Sequence, residues 1–407
     1  MSLGSLSISN FFRSLIFVIS LLSFQAFAQM NNPHGSWNAP ANKTMPVHAQ
    51  GPICTDGQVY DFSNGTNAVY IGGQFTIAGR CSGNGVPITA SQGRLTVPLE
   101  NLALVDGYVR TSIPDGAGGW YIAGELISVG GITRSGVAHI NADSSLDVAF
   151  NPYIPGSVNA LYLDGTTLYI GGNFSLVNSD LRLNLAAINA TSGATLAWNP
   201  KADGAVNALD ADTSNIYAGG EFFSASTTPG HGGEVDLVNG SANINFPYVD
   251  GEIRKVISDG SNGYYISGIF TQVGGLARAG IAHINSDGSV DTNFIVTPEG
   301  GEVAQMMLFG GSLYLAGSFQ KINSTTRIAV ASVNPTTGAL NAFNPLISTP
   351  LPWGLDVAGI ANDGTNIFLA GHFGTLGGTA VGGFTSIDKT TAAYDASFPF
   401  SAEGVTA

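Results

Sequence analysis

Two arginines and two asparagines stand at one recurring place in this chain. Arg110, Asn159, Asn207 and Arg254 each follow the first aliphatic residue of a short apolar run, and so does Tyr60. The runs begin at Val59, Val109, Val158, Val206, Ile253, Val303 and Val357, and Ala304 and Ala358 take the second position in the last two. A guanidinium presents a planar fork of donors and an amide both donates and accepts. Brought together, these side chains can hold an anionic or sugar ligand. Their alternative use is to satisfy neighbouring backbone or to pair with a carboxylate. Cations are scarce, with 14 Lys and Arg against 28 Asp and Glu, a net charge of −14.

Other reactive groups form weaker patterns. None of the six histidines has metal-ligand spacing, and His139 and His283 hold the same place in two copies of a repeat, which reads as structural. The stretches Asn141–Asp147 and Asn285–Asp291 resemble a calcium loop, with Asp287 and Asp291 as weak ligand candidates. An EF-hand loop needs a bidentate Glu at its twelfth position and flanking helices, and neither is present. An Asp-Gly turn explains the same residues without metal. There is no G-x-S-x-G elbow, and no carboxylate pair stands out from the acidic turns. No cofactor is expected. So acidic a chain lacks the cationic footprint that phosphate backbones require, which excludes nucleic acid as a partner.

The elements that must position the arginines recur too. An aromatic-aliphatic-x-Gly-x-Phe phrase appears seven times, as in Tyr169-Ile170-Gly171-Gly172-Asn173-Phe174, with its shared glycine at 73, 124, 172, 220, 268, 317 and 371. The gaps are 51, 48, 48, 48, 49 and 54 residues. Each copy carries four strand signals. Strand A is the apolar run and strand B the glycine phrase. Strand C follows an arginine in several copies (Arg134, Arg182, Arg278, Arg327), and strand D ends in an aromatic, often with Asn-Pro after it. Asp-Gly and Asn-Gly pairs supply the turns between strands A and B. Four antiparallel strands in about 50 residues, repeated seven times, predict an all-β fold, a seven-bladed β-propeller of four-stranded antiparallel blades. Its blades start near residues 59, 109, 158, 206, 253, 303 and 357. Strand A is then innermost, which places Arg110 and Arg254 on the central channel. The shared glycine marks a close approach of neighbouring strands or blades.

Composition agrees. Fifty-five glycines, 44% hydrophobic and 10% charged residues exclude a disordered chain, a collagen and a helical repeat. Copies 1 and 4 depart from the pattern after strand B. Gly79–Thr96 and Ser224–Gly240 show no clear strand C, and a Pro-rich connector, Pro345–Trp353, precedes copy 7. Such modified places are where a partner is expected to touch.

Residues 1–28 read as an export signal: Arg13, a short apolar core from Leu15 to Leu22, and a small-x-small site at Ala26-Phe27-Ala28. No later stretch is long and apolar enough to span a bilayer. Export puts Cys54 and Cys81 where a disulfide persists, contributing roughly 3 kcal/mol; two free buried thiols are the alternative. Residues 29–54 form a leader, in which Ser36-Trp37-Asn38 resembles a stray strand D ending that could close the ring formed by residues 55–407; a disordered leader is the alternative. Val405-Thr406-Ala407 stands where an eighth strand A would begin.

The run Asn285-Ser286-Asp287-Gly288-Ser289-Val290-Asp291-Thr292-Asn293-Phe294 resembles the signature of bacterial delta-60 repeat proteins, and Asn141–Phe150 matches it with Ser144 in place of glycine. The resemblance covers roughly residues 55–400, although copies 1 and 4 match only in their first halves. It implies β-propellers on exported bacterial proteins, often surface or adhesive ones, and carries no catalytic residues. The expected function is a binding, adhesion or scaffold module at the cell surface, with a surface glycan or a protein as partner. The alternative is a secreted propeller enzyme, a polysaccharide hydrolase or lyase, with a site at the channel mouth.

Overall fold

Short apolar runs broken by turn pairs fold into antiparallel hairpins along the whole chain. The computed structural model describes residues 58–64, 68–74, 85–89, 102–225, 228–243, 246–348, 355–381, 383–396 and 398, all within the unit Gln50–Ala407. The export signal, the 29–54 leader, Cys54, Cys81 and Val405–Ala407 lie outside the described residues, as does the side chain of Tyr60.

Seven sheets share one order, with strand A beside B beside C. Strand A spans Gln58–Asn64, Val105–Pro114, Gly156–Asp164, Val206–Ala211, Glu252–Ser258, Val303–Phe309 and Asp356–Asn362 in turn. Strand B spans Ala68–Gln74, Trp120–Val129, Thr167–Phe174, Asn215–Gly220, Tyr264–Ile269, Ser312–Gly317 and Asn366–His372. Strand C spans Gly85–Thr89, Val137–Ile140, Leu185–Asn189, Gly232–Asp236, Ile281–Ile284, Val330–Val333 and Phe384–Asp388. Each strand A touches strand A of the next sheet, and Asp356–Asn362 touches Gln58–Asn64. The hydrophobic core lies between consecutive sheets. In one cluster Tyr121, Val137, Phe150 and Ile154 of the second repeat pack on Val158, Ile170 and Ala186 of the third. Strand B is buried on both faces, which explains its unbroken apolar run.

Two expectations are corrected. Copies 1 and 4 do have a strand C, Gly85–Thr89 and Gly232–Asp236. In copy 4 it opens with glycines, so the apolar signal is absent; the Phe246 ring takes the space where a Cβ on Gly232 would lie, 2.3 Å away. A four-stranded sheet forms there, where Ala242–Asn243 pairs with Gly232–Asp236. In five other repeats strand D is reduced to one bridged pair, such as Ile140 with Leu146 or Ile284 with Val290. The Asp147 carboxylate then accepts the N–H groups of Ala149 and Phe150, turning the chain out of the ladder.

The link from strand B to strand C is a small hairpin that the sequence pattern did not suggest. Gln272–Val273 pairs with Leu276–Ala277 across Gly274 and Gly275, whose φ values of 57° and 78° suit a tight turn of the primed type. The arginine that follows such a hairpin is a staple. Arg134 Nη1 donates to Thr133 O, and its Nη2 donates to Asp147 O and Val148 O, at 3.0, 3.2 and 3.5 Å. Arg182, Arg278 and Arg327 repeat the arrangement on Leu181 and Leu196, Ala277 and Asp291, and Thr326 and Asn341.

Neighbouring sheets are also clasped. The strand B tyrosine donates its hydroxyl to the carbonyl just beyond strand C of the next repeat. Tyr121 reaches Ala190 O at 2.7 Å, Tyr169 reaches Leu237 O at 2.7 Å, and Tyr265 reaches Pro335 O at 2.8 Å. Burial pushes these three phenols up to about 12, so they stay protonated donors at neutral pH.

Candidate functional site

Every strand A contains a β-bulge, always at the second position of the apolar run. The ladder skips one residue in each hairpin: Tyr60, Arg110, Asn159, Asn207, Arg254, Ala304 and Ala358. A bulge leaves one residue unpaired and re-aims its side chain. Arg110, Asn159, Asn207, Arg254, Ala304 and Ala358 consequently line one cavity of about 510 Å³. A second cavity of about 310 Å³ shares Arg110, Asn159, Asn207 and Arg254, so these four side chains form a waist between the two.

The shared glycine of strand B faces the bulge. A Cβ on Gly172 would lie 2.1 Å from Ser157 O, and one on Gly220, Gly268 or Gly317 would meet the equivalent carbonyl at 2.1 Å. The glycine before it answers a different contact: a Cβ on Gly171 would lie 2.6 Å from Val206 Cγ1 of the next repeat.

Carboxylates dominate the waist electrostatically. Arg110 pairs with Glu125 at 2.5 Å. Arg254 bridges Glu302 at 3.0 Å and Glu252 at 3.4 Å. Asn159 Nδ2 donates to Asn207 Oδ1 at 3.1 Å, and Asn207 Nδ2 donates to Glu252 Oε1 at 3.2 Å. The chain Asn159–Asn207–Glu252–Arg254–Glu302 thus crosses four consecutive repeats. Glu221, Glu252, Glu302 and Asp356 line the larger cavity against only two guanidinia, both paired. Around the larger cavity the described carboxylates outnumber the guanidinia, a field that favours a cationic over an anionic group, while Lys255 lines the smaller one. Burial pushes the Glu252 carboxyl up, and repulsion from Glu221 and Glu302 adds to it despite Arg254 and Asn207. Two acceptors, Asn159 Oδ1 and Glu302 Oε2, are shielded from solvent and have no hydrogen-bond partner among the described residues.

The remaining candidates lie elsewhere. Asp287 accepts the Ser289 N–H in an exposed turn, and Asp291 accepts the Asn293 N–H and faces His283 Nδ1 at 3.0 Å. Among the described residues no group of three or more metal-ligating side chains converges. His283 sits between Asp291 and Asp259 and stacks on Tyr265, with ring centroids 4.4 Å apart. His139 repeats this between Asp115 and Asp147 on Tyr121. Each clamp forms within a single repeat, from an aspartate in the turn between strands A and B and one after strand C, at the same spacing from the histidine in both repeats.

These contacts set a pH dependence. Burial works against the charge on Asp115, Asp147 and Asp291, but hydrogen bonds from the histidine and from backbone N–H groups outweigh it and hold all three below the usual carboxylate range. Their stabilisation is present above the ordinary aspartate pKa of about 3.9 and is lost as pH falls through the lowered values. His372 behaves oppositely. Its hydrogen bond to Asp356 raises its pKa above the ordinary histidine value despite burial. That contribution is complete below about pH 6.5 and fades as pH rises through the raised value. Thermal unfolding followed from pH 3 to 9 is expected to decline on the acid flank, with a smaller decline on the alkaline one. A flat acid flank would contradict the clamps.

Among the described residues no helix is long and apolar enough to cross a membrane. A family model described as a domain of unknown function, the DUF5122 beta-propeller, matches residues 118–150 and 259–294. Both stretches contain a clamped histidine and end at its edge-on aromatic, Phe150 or Phe294. The search of curated proteins returns no match. Among solved structures, the chain resembles the computationally designed Ika8 protein, with 12% identity, 83% of this chain and 85% of that one covered, and a TM-score of 0.50. It also resembles the WD40 beta-propeller domain of Doa1, with 9% identity, 78% and 90% covered, and a TM-score of 0.51. At these identities the likeness concerns the fold alone. Together with the antiparallel all-β sheets, the matches support a β-propeller family.

Proposed function

We propose that the chain is an exported seven-bladed β-propeller that serves as a binding module at the cell surface, taking a cationic group of its partner into the mouth of the central channel. The observation that carries this reading is the excess of acceptors there: four carboxylates against two paired guanidinia, with Glu302 Oε2 and Asn159 Oδ1 unpartnered among the described residues. An ammonium or guanidinium supplies both the charge and the donors these groups lack. Because Glu252 and Glu302 are both tied to Arg254, the geometry favours binding over acid–base catalysis. The connectors leading into strand A expose Tyr153, Tyr248, Ile295 and Leu346, apolar contact area beside a polar centre. The adhesion reading and the export signal rest on the sequence.

The test is capture of the protein on immobilised basic, neutral and acidic peptides and on neutral and acidic glycans. Basic probes are expected to capture it, less so at high salt. The double variant Glu252→Gln/Glu302→Gln is expected to lose at least tenfold in affinity. Capture by acidic or neutral probes alone, or unchanged capture of the double variant, overturns the proposal.

A further inference from the structure

A groove of about 750 Å³ runs from the channel mouth into the cleft between the fifth and sixth sheets. It is continuous with the mouth, because Glu302 and Ser318 line both. Its walls are Ile269, Ala277, Ala279 and Pro298. Arg278 borders it, but its guanidinium donates to Ala277 O and Asp291 O, both at 2.8 Å, and so is held on backbone.

Ile269 is the unusual residue. It directly follows the bulge-facing glycine, where the six other repeats carry Gln74, Glu125, Asn173, Glu221, Ser318 and His372. A rim position that is otherwise polar is here aliphatic and 53% exposed. The bulge geometry does not require this, since polar residues occupy the position in every other repeat. An exposed aliphatic side chain beside an apolar groove and an acidic cavity marks a composite contact surface.

We infer that the partner is a peptide segment in which a lysine or arginine enters the acidic mouth while an aliphatic side chain a few residues away fills the groove between sheets five and six. This rests on the cationic reading of the mouth and adds the second anchor. Charge complementarity selects the occupant: a chain of net charge −14 repels a second copy of itself and attracts a basic segment.

The experiment is a peptide array on the full protein, with arginine fixed and its neighbours varied, followed by calorimetry. N-acetylarginine amide and spermidine serve as minimal cationic probes. An aliphatic neighbour is expected to tighten binding about tenfold over serine at the same place. Ile269→Ser should abolish that gain while leaving N-acetylarginine amide binding unchanged, and the exposed Ala277→Ser should do the same from the other wall. Glu302→Gln should weaken peptide and amide alike. If the amide binds but aliphatic neighbours bring no gain, if both groove variants keep the gain, or if spermidine matches the best peptide, the groove proposal is overturned and the channel reading stands. If no cationic probe binds, both fall together.

Discussion

Alanine at position 172 is expected to lower stability by about 3 kcal/mol, and no truncation nearby should recover it. The methyl group would arrive 2.1 Å from Ser157 O and 2.9 Å from Val158 Cα. Both belong to the backbone of the bulge that aims Asn159 at the channel. Relief requires the bulge itself to shift, so binding at the mouth should weaken along with stability. Position 171 provides the contrast. Its methyl would meet Val206 Cγ1 at 2.6 Å, a side-chain atom of the next sheet. Repeats 2, 6 and 7 carry Ala123, Ala316 and Ala370 at this place. Gly171→Ala should therefore cost about 1–2 kcal/mol, and Val206→Ala should couple favourably with it by about 1 kcal/mol in a double-mutant cycle. Urea unfolding with unchanged m-values is the measurement. Rescue of Gly172→Ala by Val206→Ala would show that the two glycines answer the same contact.

Arg134→Ala is expected to cost about 3 kcal/mol as well. The side chain is 2% exposed and bonds three carbonyls, so its loss strands acceptors and opens a void. Arg134→Lys should recover little, because an ammonium on a flexible stem cannot reproduce the fork that spans Thr133 O and Asp147 O. Stability of Arg134→Lys equal to the parent would reduce the staple to a space-filling role. Hydrogen exchange should localise the damage to residues 146–150, where strand D is tied by one bridge.

The repeat was legible because its cues are local. Asp-Gly turns, the aromatic-Gly phrase and its spacing each report on a few adjacent residues, and together they located strands A and B in all seven copies. Strand C of copy 4 was hidden because Gly232 opens a strand whose apolar filling comes from elsewhere, from Phe246, and strand C of copy 1 likewise opens on a glycine, Gly85. Strand D was over-read, since an apolar residue followed by an aromatic looks alike whether it pairs along a ladder or bridges once and turns away on Asp147. Arg110, Asn159, Asn207 and Arg254, aligned at one repeat position, line a common cavity. Its sign was not visible, because Glu125, Glu252 and Glu302 approach from other strands and other repeats. The repeat arginines were noticed only as punctuation. Their work as staples depends on carbonyl directions, which side-chain identity does not encode.

Contact between Gln58–Asn64 and Asp356–Asn362 joins strands about 300 residues apart, whereas every other neighbouring pair of A strands is separated by about 50. Loop-closure entropy grows only as a logarithm, so this last joint costs roughly 1.6 kcal/mol more than any of the others. Its kinetic burden is heavier, because contacts between residues this far apart in sequence form slowly. In the proposed seven-bladed ring this contact is a seam. On that reading six joints are zipped by sequence neighbours, and the seventh is the natural point of first opening, where the proposed ring behaves for a moment as a linear array with two exposed ends.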